Sequence, residues 1–141
     1  MSLPVATLKE FEIDGVSPDV SVLIVDDQAP FRSAARTVVT VAPGFGVTGE
    51  AESGEEAVEL ASALHPDLVL MDINLPGING VEATRQILAV KSDVVVILLS
   101  TYTADDLPSD ARTCGAASYV HKEDFSPAVV RGVWDEHRPQ A

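Results

Sequence analysis

The chain has 141 residues, 46% of them hydrophobic, and carries a formal net charge of −13. This length and composition fit one domain with a sizeable apolar core and exclude an intrinsically disordered chain. The acidic balance disfavours nucleic-acid binding, because phosphate backbones select surfaces rich in lysine and arginine. No window is long and apolar enough for a membrane span and no secretory signal is apparent. With a single cysteine, Cys114, these features predict a cytoplasmic protein that does not contact membranes.

The sequence pattern up to residue 50 predicts a strand, a helix and a second strand. A β-branched apolar run over residues 20–25 predicts a strand that ends at Asp26 and Asp27. Apolar residues at helical spacing predict a helix over residues 29–42. A weaker strand follows at residues 45–50.

The third unit contains the central acidic residue. Ser53 begins a capping-box pattern and predicts the N-cap of a second helix. Residues 67–71 then form a short apolar strand that stops at Asp72, and residues 80–90 follow a helical pattern. A buried parallel strand of this kind delivers a reactive group to the rim of a sheet.

The fourth unit is less regular. Residues 94–99 are apolar throughout and predict a central strand that ends at Ser100. A helix is expected over residues 104–114, but Pro108 lies inside the pattern. Because proline is tolerated only in a first turn, this helix should start late, near Leu107, or be distorted.

The last unit completes a regular alternation. Residues 116–120 predict a fifth strand that is followed closely by Lys122, and Ser126 and Pro127 predict the start of a final helix. Five strand–helix units imply a parallel sheet with helices on both faces. In such folds the functional site lies at the carboxyl ends of the strands.

Four of the five predicted strands end close to a polar residue: Asp26, Asp27, Asp72, Ser100 and Lys122. A carboxylate can accept a phosphoryl group as a nucleophile, and clustered acids suit Mg²⁺. Lysine and a hydroxyl would supply positive charge and a donor for the phosphoryl oxygens. The backbone carbonyl of Asn74 is available as a further metal ligand.

Each of these residues alone has a simpler interpretation. Asp26 and Asp27 could cap the first helix, and Asp72 could be a turn acid. Ser100 and Lys122 taken singly could be ordinary surface residues. The five residues in this order favour phosphoryl transfer at Asp72.

These motifs resemble the receiver domain of bacterial response regulators over about residues 20–138. The shared features are the acid pair after the first strand, Asp72 with a following Leu-Pro-Gly-x-x-Gly, Ser100, and the Tyr-x-x-Lys from Tyr119 to Lys122. Together they are highly specific for that family.

The resemblance also implies a subgroup and a fold. The runs at residues 43–57 and 80–84 are similar to the NarL/FixJ-type subgroup. The implied fold is a flavodoxin-like, doubly wound α/β structure with a five-stranded parallel sheet in the order 2-1-3-4-5. Outside the domain, residues 1–19 are interpreted as an irregular N-terminal extension, with residues 1–3 a candidate tag, and residues 139–141 as a tail or linker.

The resemblance implies a role for each acid. Asp72 would take a phosphoryl group from the phosphohistidine of a sensor histidine kinase. Asp26 and Asp27 would hold Mg²⁺, together with Asp72 and the Asn74 carbonyl.

The resemblance also implies that the other site residues take part in a conformational switch. Ser100 would hydrogen-bond the phosphoryl group and move toward it, Tyr119 would turn inward as Ser100 moves, and Lys122 would contact a phosphoryl oxygen. The family's switching surface comprises the fourth helix, the fifth strand and the fifth helix.

Three positions depart from the family pattern. Glu123 stands where many receivers have proline, so a cis peptide bond is not expected there. Pro108 interrupts the fourth helix. Tyr102, two residues after Ser100, lies where receivers tune dephosphorylation, and with Asn74 it could shield or position the attacking water.

Three functions are candidates for this set of residues. A phosphorylation switch leads, and it is not a turnover enzyme. A phosphatase of the haloacid-dehalogenase type needs a second aspartate where this chain has Asn74, which cannot protonate a leaving group. A degenerate receiver would not need the complete set of acids, Ser100 and Lys122. The resemblance further implies dimerisation through a helix face. Proteins of the NarL/FixJ type usually continue into a DNA-binding domain, so this chain could be a single-domain regulator or the receiver of a longer protein. The acidic charge indicates that this domain itself would not bind DNA.

Overall fold

The computed structural model describes residues 18–102 and 107–139. Its strands are β1 Val20–Val25, β2 Phe45–Ala51, β3 Leu68–Asp72, β4 Val95–Ser100 and β5 Ser118–His121. They form one sheet in the order β2-β1-β3-β4-β5, and every neighbouring pair is parallel. The predicted topology is confirmed.

Within the described residues, four α-helices cover both faces of this sheet: α1 Ala29–Val41, α2 Gly54–Leu64, α3 Gly80–Val90 and α4 Pro127–His137. Val39 of α1 and Trp134 of α4 belong to one buried cluster. Ala57 of α2 and Ile87 of α3 belong to a second cluster on the opposite face. The doubly wound arrangement expected from the alternation of strands and helices is therefore confirmed.

The central strand β3 joins the two clusters. Side chains alternate across a strand, so Leu68 and Leu70 pack with α1 and α4, while Val69 and Met71 pack with α2 and α3. All four side chains are fully buried, and each contributes roughly 1.5–3 kcal/mol relative to an exposed position. This packing fixes the end of β3, where Asp72 lies.

Side-chain caps set the starts of three helices. The hydroxyl oxygens of Ser53 and Ser126 accept hydrogen bonds from the first turns of α2 and α4, as the sequence predicts. Asn79 caps α3 in the same way, because its Oδ1 accepts from the Glu82 N–H at 2.9 Å. An acceptor at this position satisfies a backbone donor that has no partner within the helix.

The segment between β4 and β5 differs from the predicted helix. Its described part holds one turn of 3-10 helix, Ser109–Arg112, with Pro108 at the N-cap. A regular helix over residues 104–114 is therefore wrong for the described residues 107–114, where the only helical part is this short turn after Pro108. Proline cannot donate the backbone hydrogen bond that an earlier helical turn would need.

Most of the predicted N-terminal extension, residues 1–17, lies outside the described part of the chain, as do residues 103–106 and 140–141. None of the helices that the structure describes combines the length and the apolar character that crossing a bilayer requires.

Candidate functional site

The strand register assembles the site at the carboxyl edge of the sheet. Val25 pairs with Met71, so the next residues, Asp26 and Asp72, lie side by side. Ser100 pairs with the residue that precedes Lys122. The structure therefore brings the predicted strand-end residues to one edge.

Three carboxylates form what we call the acid side of the site: Asp26, Asp27 and Asp72. Each offers an oxygen within 4.8 Å of the other two. Asp26 and Asp72 are buried, at 0% and 4% exposure, whereas Asp27 is exposed. Buried carboxylates this close need a counter-charge, and hard oxygen donors with room for water are what Mg²⁺ selects. The residues present therefore fit a divalent cation.

Lys122 supplies the counter-charge within the protein. Its Nζ lies 2.7 Å from Asp26 Oδ2 and 3.6 Å from Asp72 Oδ1. The same ammonium stands 4.4 Å from the centroid of the Phe31 ring, a favourable cation–π geometry. Phe31 was expected only as an apolar residue of α1, and its contact with Lys122 could not be deduced from helical spacing.

The environment of Asp72 favours its protonated form more than water does. Burial is the main cause, the Asp26 charge adds to it and the Lys122 ammonium opposes it, and together they raise the pKa of Asp72 to about 6. The Asn74 N–H, which donates to Asp72 Oδ1 at 3.3 Å, also lowers the pKa. At neutral pH the carboxylate is still mostly ionised, which a nucleophile requires.

Main-chain contacts orient Asp26 on the other side of the cluster. Its Oδ1 accepts from the Gln28 N–H at 2.8 Å, and its carbonyl oxygen accepts from Arg32 Nη1 at 2.7 Å. Sequence reasoning missed Arg32. The available signal was its place on α1 three residues before Ala35 and seven before Val39, both fully buried, because a charge on the apolar face of a helix needs a partner.

The loop after Asp72 is closely packed. A Cβ on Gly80 would lie 2.1 Å from the Asp72 carbonyl oxygen, so only glycine allows α3 to begin this close to β3. Gly77 adopts a φ of 73°, which favours glycine. Glu55 of α2 accepts from the Ile78 N–H at 3.1 Å. The Leu-Pro-Gly-x-x-Gly motif thus fixes the segment that follows Asp72.

Ser100, Tyr102 and Tyr119 form what we call the tyrosine side of the site. Ser100 Oγ accepts from the Tyr102 N–H at 2.7 Å, and the hydroxyl of half-buried Tyr119 donates to the Tyr102 carbonyl oxygen. The predicted pair of Ser100 and Tyr119 is therefore connected through the main chain of one residue.

Tyr102 also reaches the acid side. Its hydroxyl donates to Asn74 Oδ1 at 3.1 Å. The two residues that were predicted to tune dephosphorylation are thus in direct contact, beside the carboxylate of Asp72.

A second connection on the tyrosine side was not predicted. His121 Nε2 lies 3.0 Å from the Thr101 carbonyl oxygen, and His121 Nδ1 accepts from the Glu123 N–H at 3.1 Å. A neutral imidazole that carries its proton on Nε2 makes both contacts, because Nε2 then donates and Nδ1 accepts. His121 therefore joins the end of β4 to the turn that carries Lys122.

The comparisons with known proteins agree with this geometry. Residues 22–130 match the family model described as the response regulator receiver domain. The chain is 37% identical to the transcriptional regulatory protein DegU of Brevibacillus brevis over 81% of its own length and 48% of that protein. It spans about half the length of the curated relatives it matches.

Solved structures show the same relationship. The signal receiver domain of the putative response regulator NarL from Mycobacterium tuberculosis superposes with a TM-score of 0.77 at 27% identity, over 88% of this chain and all of that one. A chain of the CheX–CheY–BeF3–Mg²⁺ complex from Borrelia burgdorferi gives a TM-score of 0.70 at 28% identity, over 83% of this chain and 87% of that one. The chain belongs to the response regulator receiver domain family of two-component signalling systems.

Proposed function

We propose that this receiver domain is a phosphorylation switch in which Asp72 accepts a phosphoryl group from the phosphohistidine of a sensor histidine kinase. The observation that carries the proposal is the position of Lys122 Nζ between Asp26 and Asp72, at 2.7 and 3.6 Å, beside three carboxylates. A carboxylate oxygen of Asp72 bonds to phosphorus as the bond from phosphorus to the donor nitrogen breaks. Lys122 and the Ser100 hydroxyl offset the charge on the phosphoryl oxygens.

Mg²⁺ is the cation that this proposal assigns to the acid side. Asp26, Asp27, Asp72 and the main-chain carbonyl of Asn74 would hold it. The ion supplies positive charge that offsets the repulsion between an anionic phosphoryl group and an anionic nucleophile. The Mg²⁺ in the Borrelia burgdorferi complex supports this assignment.

Tyr102 and Asn74 set the lifetime of the phosphoryl group in this proposal. Their side chains are joined by a hydrogen bond, and the Asn74 N–H donates to Asp72 Oδ1. We infer from this placement that the pair limits the approach of a water molecule to the phosphorus. Asn74 cannot act as a general acid. The protein is therefore a slow switch that loses its phosphoryl group and not a phosphatase with repeated turnover.

The output surface of the switch surrounds Tyr119. It comprises the 3-10 turn Ser109–Arg112, β5 and α4, which here take the place of the family's fourth helix, fifth strand and fifth helix. Phosphorylation adds roughly −1.5 to −2 charges near Ser100. If Ser100 is drawn toward that charge, its contact with Tyr102 changes, and Tyr119 is bonded to the same residue.

The wider setting follows from the relatives. DegU is described as a transcriptional regulatory protein, and we propose that this domain controls transcription as part of a longer regulator whose other domain binds DNA. A homodimer, a sensor kinase partner and a cytoplasmic location complete the proposal. The domain itself binds neither nucleic acid nor membranes.

The test is phosphorylation by a small-molecule donor. The protein is incubated with acetyl phosphate and Mg²⁺, and intact-mass spectrometry follows a single phosphoryl adduct that is labile in base. We expect the adduct in the wild type and none in Asp72→Asn or in the presence of a chelator. An adduct that persists in Asp72→Asn would contradict the assignment, and rapid repeated hydrolysis of acetyl phosphate would favour a phosphatase.

A further inference from the structure

Arg32 contacts the peptide group that links the first two acids of the site. The carbonyl oxygen of Asp26 belongs to the peptide bond between Asp26 and Asp27, and Arg32 Nη1 donates to it at 2.7 Å. The orientation of this peptide determines how the two successive carboxylates point. A donor fixed on this oxygen therefore limits the relative orientation of both side chains.

The guanidinium is itself held from the other side. Arg32 Nε donates to Glu50 Oε1 at 3.2 Å, and Nη2 lies 3.7 Å from Glu52 Oε2. The Arg32 side chain is only 14% exposed. Glu50 is in β2 and Glu52 follows that strand, so Arg32 connects the junction of β1 and α1 to the neighbouring strand end. A planar guanidinium can serve all three partners at once, which a lysine cannot.

We propose that Arg32 is a positioning residue for the metal-binding acids: by fixing the peptide between Asp26 and Asp27, it presents both carboxylates to Mg²⁺. The inference rests on the Mg²⁺ site of the proposed function. Contacts behind metal ligands affect affinity strongly, and their removal typically costs about 10- to 100-fold. Arg32 touches no reacting atom, so it acts only through Asp26 and Asp27.

The sign of the effect separates positioning from simple electrostatics. Removing a positive charge near an acidic cluster should strengthen cation binding if charge alone matters. Removing a positioning contact should weaken it. Arg36 is a matched control, because it also pairs with Glu50, with Nε to Oε2 at 2.7 Å, but its side chain is half exposed and its described hydrogen bonds go to Glu50 and not to Asp26.

The experiment is isothermal titration of the metal-free protein with Mg²⁺ for the wild type, Arg32→Ala, Arg32→Lys and Arg36→Ala. We expect the Kd to rise about tenfold in Arg32→Ala, to recover partly in Arg32→Lys and to stay close to the wild-type value in Arg36→Ala. Thermal melts without Mg²⁺ identify any loss of folding. If Arg32→Ala does not fold, the comparison of Arg32→Lys with the wild type decides, with a weaker Mg²⁺ affinity expected.

A kinetic readout adds a second check. Because Arg32→Ala should weaken ion binding and leave Asp72 intact, saturating Mg²⁺ should restore the rate of phosphorylation by acetyl phosphate. Equal or tighter Mg²⁺ affinity in Arg32→Ala would overturn the positioning role while leaving the proposed function intact. A wild-type protein that bound no Mg²⁺ would overturn the metal site as well, so the two failures are distinguishable.

Discussion

The acid side and the tyrosine side of the site are held in place by different kinds of contact. On the acid side, charged side chains connect the ends of separate strands. Lys122 joins Asp26, directly after β1, to the turn after β5, and Arg32 joins Asp26 to β2. On the tyrosine side, the contacts run through the main chain of a loop, with Tyr102 at their centre. Beyond that loop, the described chain has a short 3-10 turn in place of a full helix.

This difference corresponds to two tasks. Phosphoryl transfer needs charges that keep their positions during the reaction, because preorganised charge costs no reorganisation. A switch needs an element with two arrangements that differ little in free energy. Cross-strand ion pairs suit the first task, and single hydrogen bonds to a loop suit the second. Perturbing the acid side should therefore change chemistry or stability strongly, and perturbing the tyrosine side should change timing.

The largest effect is expected from removing the counter-charge. Lys122→Ala should slow phosphorylation by acetyl phosphate by about 10²–10³-fold, the usual cost of losing one group that stabilises charge in a transition state. Its Mg²⁺ affinity should not fall, because the ammonium is not a metal ligand. Lys91→Ala is the control, since Lys91 is half exposed and pairs with Asp93 away from the site. A Lys122→Ala variant as fast as this control would show that the counter-charge is not used in transfer.

The next effect concerns stability and its pH dependence. Because the folded protein raises the pKa of Asp72 from 3.8 to about 6, the ionised carboxylate opposes folding above pH 6, and this penalty disappears as the pH falls through 6 toward 4. Asp72→Asn should therefore raise the free energy of unfolding at pH 7 by up to about 3 kcal/mol, with little gain at pH 4.

Urea denaturation in a chelating buffer measures this difference, with exposed Asp124→Asn as a control for the substitution itself. Added Mg²⁺ should stabilise the wild type more than the variant, because the ion binds the folded site. A variant less stable than the wild type at pH 7 would mean that the Asp72 carboxylate is a net stabilising group.

A backbone contact beneath Asp72 gives a third effect. Gly80→Ala places a methyl group against the Asp72 carbonyl oxygen and should lower the free energy of unfolding by about 1–3 kcal/mol. Gly132→Ala in α4 meets no atom within 4 Å and should be stabilising by about 0.5–1 kcal/mol. Thermal or urea unfolding of both variants checks the opposite signs. Equal effects of the two substitutions would contradict the close approach of α3 to the Asp72 carbonyl oxygen.

The smallest effect is expected on the tyrosine side. Tyr102→Phe removes the hydrogen bond to Asn74 and keeps the ring. Such a bond is worth about 1 kcal/mol, so the phosphoryl lifetime should shorten roughly fivefold, with a larger change in Tyr102→Ala. Decay of the phosphorylated protein after removal of the donor gives the rates. If both variants decay at the wild-type rate, Tyr102 has no part in the timing.

The acid side was largely predictable because its signals are local in sequence. An apolar run that stops at an acid, as at Asp72, identifies a strand and the candidate site residue at its end. The starts of two helices were predictable for the same reason, because Ser53 and Ser126 cap them through contacts to residues only three positions later. The bounds of the fourth strand were predicted to within one residue, since β4 begins at Val95 instead of residue 94 and ends at Ser100 as expected.

The contacts that the sequence did not predict are made by side chains on elements that are far apart in the chain. Arg32 and Glu50 are 18 residues apart, and the contact between Phe31 and Lys122 requires the completed fold. The length of the helix after β4 depends on how Pro108 competes with tertiary packing, which local propensity does not determine. Ser100 and Tyr119 both hydrogen-bond the main chain of Tyr102. Their positions in the sequence do not indicate this shared partner.

Tyr102 engages its neighbours through two independent parts of the same residue. Its N–H and carbonyl contact Ser100 and Tyr119, and any amino acid except proline can make both bonds, whereas only its side chain contacts Asn74. In the proposed function, the contact between Tyr102 and Asn74 sets the phosphoryl lifetime. A substitution at this position should then change the duration of the signal and leave the main-chain connection between Ser100 and Tyr119 in place. Under this proposal, a single codon change at position 102 would alter how long the signal lasts without altering how it is transmitted.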